Sequence, residues 1–269
     1  MDDKLQVSTE NFFAEHPVFS LAEATWALNP ARGRAGAVER LKHHLATGRL
    51  KRVGREVYAV VPRGRRVDVF LPDPFLVARV IRPNGVFCHH SALELLGVAH
   101  SVWNQVTLFG APRRALETTG WRIQCLGHPS AFRGESAFLG TRQVERQGVL
   151  LRVTGPERTL VEGFSRLDRC GGLEELTVSA DGFPVLDLDL LESVLKRYAI
   201  AGLWAATGWF LERRQALFHV PEDFLARLEA RRPRAPQYLL RSRRGGRLAA
   251  RWNLILPPEA GGAGEPDGR

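Results

Sequence analysis

The stretch Arg32–Val61, RGRAGAVERLKHHLATGRLKRVGREVYAVV, constrains the rest of the chain most. Val38, Leu41 and Leu45 recur at i, i+3 and i+7, one narrow apolar stripe that predicts a helix from about Ala35 to Thr47. At about 100° per residue, Arg40 and His43 point away from that stripe, with Gly36 beside them. Gly48 is placed to stop the helix, as glycine does just past a C-terminus. Leu50–Val53 and Glu56–Val61 then read as two short strands turned around Gly54-Arg55. Between Arg32 and Arg66 stand eleven Lys or Arg against two acids, Glu39 and Glu56. That excess of nine equals the formal net charge of the whole chain, +9.

A charge run is usually only a solvated face. Here the cations fall at a helix start, on the outer face of that helix and on the adjoining turn. A helix entering a major groove and a ribbon lying on the neighbouring backbone need them in those places. The expectation is a winged helix-turn-helix over residues 1–66 that binds double-stranded DNA. Arg34, Arg40 and His43 would approach base edges, with Lys42 beside them. Arg32, Lys51, Arg52 and Arg55 would hold phosphates. Upstream, Lys4–Ala14 reads as a first helix. Ser20 with Glu23 reads as a capping box for a second, Leu21–Leu28, ended by Asn29-Pro30. Phe12, Leu21, Ala24, Trp26, Val38, Leu41, Leu45, Val57 and Tyr58 are the expected core of this unit.

The 269 residues, 44% of them hydrophobic, suffice for two domains. A sequence pI near 10.3 favours a polyanionic partner. Cys88, Cys125 and Cys170 are odd in number and far apart, which fits a reducing compartment rather than a disulfide framework. The start, MDDKLQVSTE, has no signal-peptide core. The longest apolar run, Ala199–Leu211, falls short of the roughly 20 residues that span a bilayer. A cytoplasmic protein with no membrane contact is expected.

The remainder, residues 67–256, reads as a larger mixed α/β domain with an antiparallel sheet, making the whole α+β. Pro62-Arg63-Gly64-Arg65-Arg66 marks the boundary. Asp73-Pro74 opens a helix to Ile81, Val86–Cys88 is a short strand, and His90–Leu96 is a helix closed by Gly97. Alternation through Val106, Leu108, Trp121, Ile123, Val144, Val149, Leu151 and Val153 predicts a mostly antiparallel sheet. Thr154 is expected to cap the next helix, and Asp187 the helix Leu188–Tyr198. Leu203–Arg213 is apolar on nearly all sides and should be central. Tyr238–Arg241 and Leu248–Leu256 are expected as the arms of a hairpin around Gly245-Gly246. Residues 257–269 read as a disordered tail.

Cys88, His89, His90, Cys125 and His128 match no zinc spacing, and no metal or cofactor is assigned. Asp187, Asp189 and Glu157 could pass for the acids of a metal-dependent nuclease, but acids before a helix more often cap it. No P-loop, G-x-G-x-x-G or G-x-S-x-G is present, and no catalytic residue is assigned. A second basic cluster from Arg227 to Arg251 sets nine Arg against Glu229. Its Arg241, Arg243, Arg244 and Arg247 could extend a DNA track or dock an acidic protein.

The order "GRLKRVGREVYAV", "DPFLVARVIRPNGVFCHHSALELLGV", "VTGPERTLVEGF", "GGLEEL" and "LESVLKRY" resembles the AbiEi family of antitoxins from type IV toxin–antitoxin systems. His89–Gly97 and Glu157–Leu160 carry most of the likeness. The resemblance implies a two-domain autorepressor that binds inverted repeats in its own promoter. It also implies a functional partner, a nucleotidyltransferase-like toxin, without requiring a stable complex. Ser91 and Thr159 are expected in structural roles. The other readings are a metal-dependent nuclease using the Asp187 region, and a regulator or docking module without a toxin partner.

Overall fold

The computed structural model describes residues 8–28, 31–118, 120–240 and 246–258. The chain begins with α1 (Thr9–Glu15), whose Ser8 cap accepts the Asn11 amide at 3.1 Å. A short strand, β1 (Val18–Ser20), leads directly into α2 (Leu21–Leu28). Ser20 and Glu23 form the reciprocal capping box: Ser20 N donates to Glu23 Oε2 at 2.7 Å and Glu23 N to Ser20 Oγ at 3.1 Å. Then come α3 (Gly33–Ala46), β2 (Leu50–Gly54) and β3 (Val57–Val60). The sheet order is β1-β3-β2, antiparallel throughout, so β1, which periodicity does not predict, extends the hairpin.

Phe12, Phe13, Phe19, Leu28, Leu41 and Leu50 centre the core beneath these elements. Val38 and Leu45 are only half-buried at its edge, and Trp26, expected inside, is 76% exposed. The reason is angular. Ala24 and Leu28 lie i, i+4 on the buried face of α2, and a residue midway between them points about 200° from each. Lys4–Val7, the start of the expected first helix, lie outside the described residues.

A turn-rich segment leads to α4 (Pro74–Ile81), where Asp73 Oδ1 accepts the Phe75 amide at 2.8 Å. After β4 (Val86–Phe87) and α5 (His90–Leu95) come β5 (Gln105–Phe109), β6 (Arg113–Thr118), β7 (Trp121–Leu126), β8 (Thr141–Arg146) and β9 (Val149–Thr154). They build one six-stranded sheet ordered β6-β7-β5-β4-β9-β8. The sheet, expected as mostly antiparallel, also contains parallel pairs. Three antiparallel pairs are joined through two parallel ones, β5–β7 and β4–β9. β6 lies on the edge instead of between the strands it links, which sets β5 and β7 side by side in one direction. Helix α4 packs between the two sheets. Val18, Val57 and Ala59 share a core with Phe75–Ala78, Leu108, Ile123 and Val153.

Five helices follow: α6 (Pro156–Ser165), α7 (Gly172–Asp181), α8 (Leu188–Tyr198), α9 (Ala201–Glu212) and α10 (Glu222–Glu229). Gly155, not Thr154, precedes α6 as its cap. The Thr154 hydroxyl sits 2.7 Å from that of Thr159, which donates to the Thr154 carbonyl at 2.9 Å. α9 is buried from Leu203 to Leu211. Its Gly208 lets the Trp252 ring approach so closely that a Cβ would stand 2.0 Å from it. The expected terminal hairpin is a three-stranded sheet instead. β10 (Gln237–Tyr238) pairs in parallel with β12 (Leu254–Leu256), and β11 (Arg247–Ala249) pairs antiparallel with β12. The reversal is made at Ala250–Asn253, where Asn253 takes φ 47°. The expected turn at Gly245-Gly246 lies largely outside the described residues, as do tail residues 259–269. Among the described residues no helix is long and apolar enough to cross a membrane. The architecture is mixed α+β.

Candidate nucleic-acid interface

The start of α3 and the β2–β3 turn lie side by side. Arg34 Nη2 donates to Glu56 Oε1 at 2.5 Å across 22 residues of chain. Glu56 holds the turn in a second way, since its carbonyl accepts the Leu21 amide at 2.8 Å and fixes the ribbon to the start of α2. Its φ of 62° is the left-handed backbone a two-residue turn needs. This turn is short and anchored, not a free loop.

Along α3, Ala37 and Leu41 face the core while Arg32, Arg34, Lys42 and His43 are exposed and Arg40 is half-exposed. Arg34 and Arg40 are six residues apart, about 9 Å along the helix at 1.5 Å per residue. Arg32 precedes the helix without a side-chain cap, so the first amides of α3 are not covered by one. Arg52 and Arg55 are exposed on the ribbon, where Arg52 Nε donates to the Gly54 carbonyl at 3.3 Å. Arg32, Arg40, Arg52 and Arg55 have no ion-pair partner among the described residues. Lys42 pairs with Glu39 at 3.0 Å in the open, and exposed pairs of this kind contribute at most about 1 kcal/mol.

Lys51 stands apart from this group. Its ammonium donates to the Phe70 carbonyl at 2.5 Å and to that of Asp68 at 3.5 Å, so it secures the segment that leads to α4. His44 packs edge-on against Phe13, with burial, then the neighbouring His43 and Arg49, holding its pKa below the usual value. Arg49 pairs with Glu10 at 2.5 Å. Glu56 is the residue that sequence reading undervalued. Its place at the turn of the basic ribbon, as one of two acids in that run, is the available signal.

In the second basic cluster Arg227, Arg232 and Arg251 are matched by acids. Arg251 contacts Glu212, Glu222 and Glu229 at 2.8, 2.6 and 2.9 Å. Arg227 contacts Asp223 at 2.6 Å and Glu192 at 3.6 Å, and Arg231 lies over the Trp204 ring. Counting charges along 227–251 missed partners supplied by α8 and α9. Arg247 lies on β11, while Arg241, Arg243 and Arg244 lie outside the described residues.

The remaining candidates hold structural positions. Asp187 Oδ1 accepts the Leu190 amide at 2.9 Å, and Glu157 Oε1 accepts that of Asp187 at 2.9 Å. Asp189 lies in the first turn of α8. His90 stacks on Trp103 at 4.3 Å and contacts Glu94 and Glu175 at 2.9 and 3.2 Å. Ser91 Oγ accepts the Thr107 amide at 2.9 Å, tying α5 to β5. Cys88, Cys125 and Cys170 are buried and form no disulfide, and no group of three His, Cys, Asp or Glu among the described residues is placed to hold a metal.

No protein-family model matches the chain, and no curated protein matches its sequence. The fold is similar to a solved one: the crystal structure of the RV2827C protein from Mycobacterium tuberculosis superposes with a TM-score of 0.62. The two are 16% identical, and the match covers 91% of this chain and 88% of the other. At that identity the likeness concerns the fold.

Proposed function

We propose that the N-terminal unit is a winged helix whose α3 enters the major groove while the β2–β3 turn lies on the adjoining backbone. The chain is then a DNA-binding autorepressor and antitoxin of the AbiEi type, acting in a reducing cytoplasm. One observation carries the DNA reading. Arg32, Arg40, Arg52 and Arg55 occupy the start and open face of α3 and the neighbouring turn with no ion-pair partner among the described residues. The element order supports it: helix, strand, two helices and a hairpin, with the first strand added beside the returning arm.

In this reading Arg40 and His43 meet base edges, with Arg34 at the groove's edge. Arg32, Arg52, Arg55 and the uncapped amides of α3 meet phosphates. The Arg34–Glu56 pair is exposed, so a phosphate can displace Glu56 at small cost. Lys51 drops out of the contact set, because its ammonium is already engaged. Inverted repeats would place two copies on each operator. The antitoxin role rests on the resemblance of the His89–Gly97 and Glu157–Leu160 segments, and a nucleotidyltransferase-like toxin is its implied partner.

Mobility shifts with the chain's own upstream promoter and with random DNA, at two salt concentrations, test the DNA reading. Arg40→Ala is expected to lose about 1–3 kcal/mol on the promoter and little on random DNA. Arg55→Ala should weaken both probes alike and flatten the salt dependence. Equal losses on the two probes for Arg40→Ala would remove it from base reading. Co-expression with the neighbouring gene product, with growth as readout, tests the antitoxin role; no rescue would refute it.

A further inference from the structure

At the carboxyl ends of the parallel strands β5 and β7 the body of the protein opens a cavity of about 370 Å³. Phe109 and Leu126, the last residues of those strands, form one wall. His89, Glu162, Arg166, Arg169 and Tyr198 line the cavity as well. Crevices at this end of parallel strands are where open α/β sheets commonly take ligands.

Glu162 and Arg169, which line the cavity, and Arg158, which pairs with Glu162, carry polar atoms that the protein leaves without partners. Glu162, 1% exposed on α6, spends Oε1 on Arg158 Nε at 2.7 Å and on the Tyr198 hydroxyl at 3.4 Å. Its Oε2 is buried and accepts nothing. Arg158, fully buried, gives Nη1 to the Ala137 and Leu139 carbonyls at 2.8 and 2.9 Å and leaves Nη2 bare. Arg169 leaves Nε and Nη1 buried and bare, and has no carboxylate partner among the described residues because Asp168 pairs with Arg166 at 2.7 Å. A buried guanidinium edge and a buried carboxylate oxygen each cost free energy while unmatched. Glu162 and Arg169 both line the one cavity, and unmatched groups beside it mark a place that something else fills. His89 contributes a neutral ring, since burial and then Arg169 and Arg166 push its pKa down to about 3. Its ring lies edge-on to Phe109 at 5.4 Å, on a backbone with φ 56°.

The geometry points to a binding site for a small ligand with an oxyanion, carboxylate or phosphate, received by Arg169, and an N–H or O–H donor accepted by Glu162. A planar ring between the two ends would lie against Phe109, His89 and Tyr198. This site is separate from the α3 surface, and its test does not involve DNA.

The test is calorimetric titration of the full chain with four probes: inorganic phosphate, acetate, adenosine monophosphate and phenylalanine. The two larger probes separate a phosphate-bearing from a carboxylate-bearing ligand, and both carry donors. One of them is expected to bind at millimolar concentration or tighter and to raise the melting temperature. Arg169→Gln, at a half-exposed position, should weaken that binding about tenfold or more while the circular dichroism spectrum is unchanged. Arg169→Lys should restore part of it. Glu162→Gln should weaken the donor-bearing probe while leaving the matching simple anion unaffected. No binding by any probe at millimolar concentration, which leaves a cavity holding water only, would overturn the proposal. So would equal binding by Arg169→Gln.

Discussion

Glu56 does three jobs at one position. It supplies a positive φ to the turn, a carbonyl to the Leu21 amide and a carboxylate to Arg34. The carboxylate stands where a phosphate would otherwise reach Arg34. Glu56→Gln keeps the backbone roles and removes the charge. Its predicted effect is tighter DNA binding, because no carboxylate has to be displaced from Arg34. Unchanged affinity would show that Arg34 takes no part. His89 allows a prediction in pH. Its folded pKa, about 3, lies below the unfolded value, so between roughly pH 6.5 and 3 the unfolded chain binds the extra proton and stability falls with pH. Burial raises the Glu162 pKa, which acts in the opposite sense above about pH 4.5. The comparison with His89→Asn isolates the histidine, and asparagine tolerates the positive φ. Between pH 6 and 5 the variant should lose less stability than the wild type, by up to about 1.4 kcal/mol per pH unit in urea titrations. Parallel curves would contradict the neutral buried ring.

The elements divide by how local their causes are. Ser20 with Glu23, Asp73 with Pro74, and Asp187 were legible as helix starts because a cap satisfies amides two or three residues away. Ser20→Ala should cost about 1 kcal/mol in urea unfolding; a loss below a few tenths would mean the box is replaced by solvent. Trp26 misled because hydrophobicity was read without its angle on α2. β1 was missed because three residues carry too little alternation to stand out. In the large sheet, alternation identified which face of each strand is buried but not which strand lies beside it, and so the β5–β7 and β4–β9 pairings were not legible. The helix at Gly208 was expected as central, but its contact with Trp252 spans 44 positions of chain. Gly208→Ala should destabilise the protein by roughly 1–3 kcal/mol or more through overpacking. Trp252→Leu in the same background should recover part of that loss if the ring is the obstacle.

Across the molecule, charge is sorted by where acids come from. The C-terminal arginines meet Glu192, Glu212 and Glu222, which approach from other helices, whereas the α3 surface keeps several cations without such partners among the described residues. The N-terminal elements also share Val18, Val57 and Ala59 with the core under α4, and Arg79 reaches Glu23 at 3.1 Å. Unfolding followed by tryptophan fluorescence and by far-ultraviolet circular dichroism should therefore coincide, and separate midpoints would show two independent units. The central claim is that α3 and the adjoining turn face a duplex. It is tested most directly by the salt dependence of promoter binding for the wild type and for a variant with Arg32, Arg40, Arg52 and Arg55 all changed to alanine. The account predicts that specific binding is lost and that the slope on random DNA falls by about 2 to 4 per bound copy. Promoter binding by the variant with the wild-type affinity and slope would contradict it.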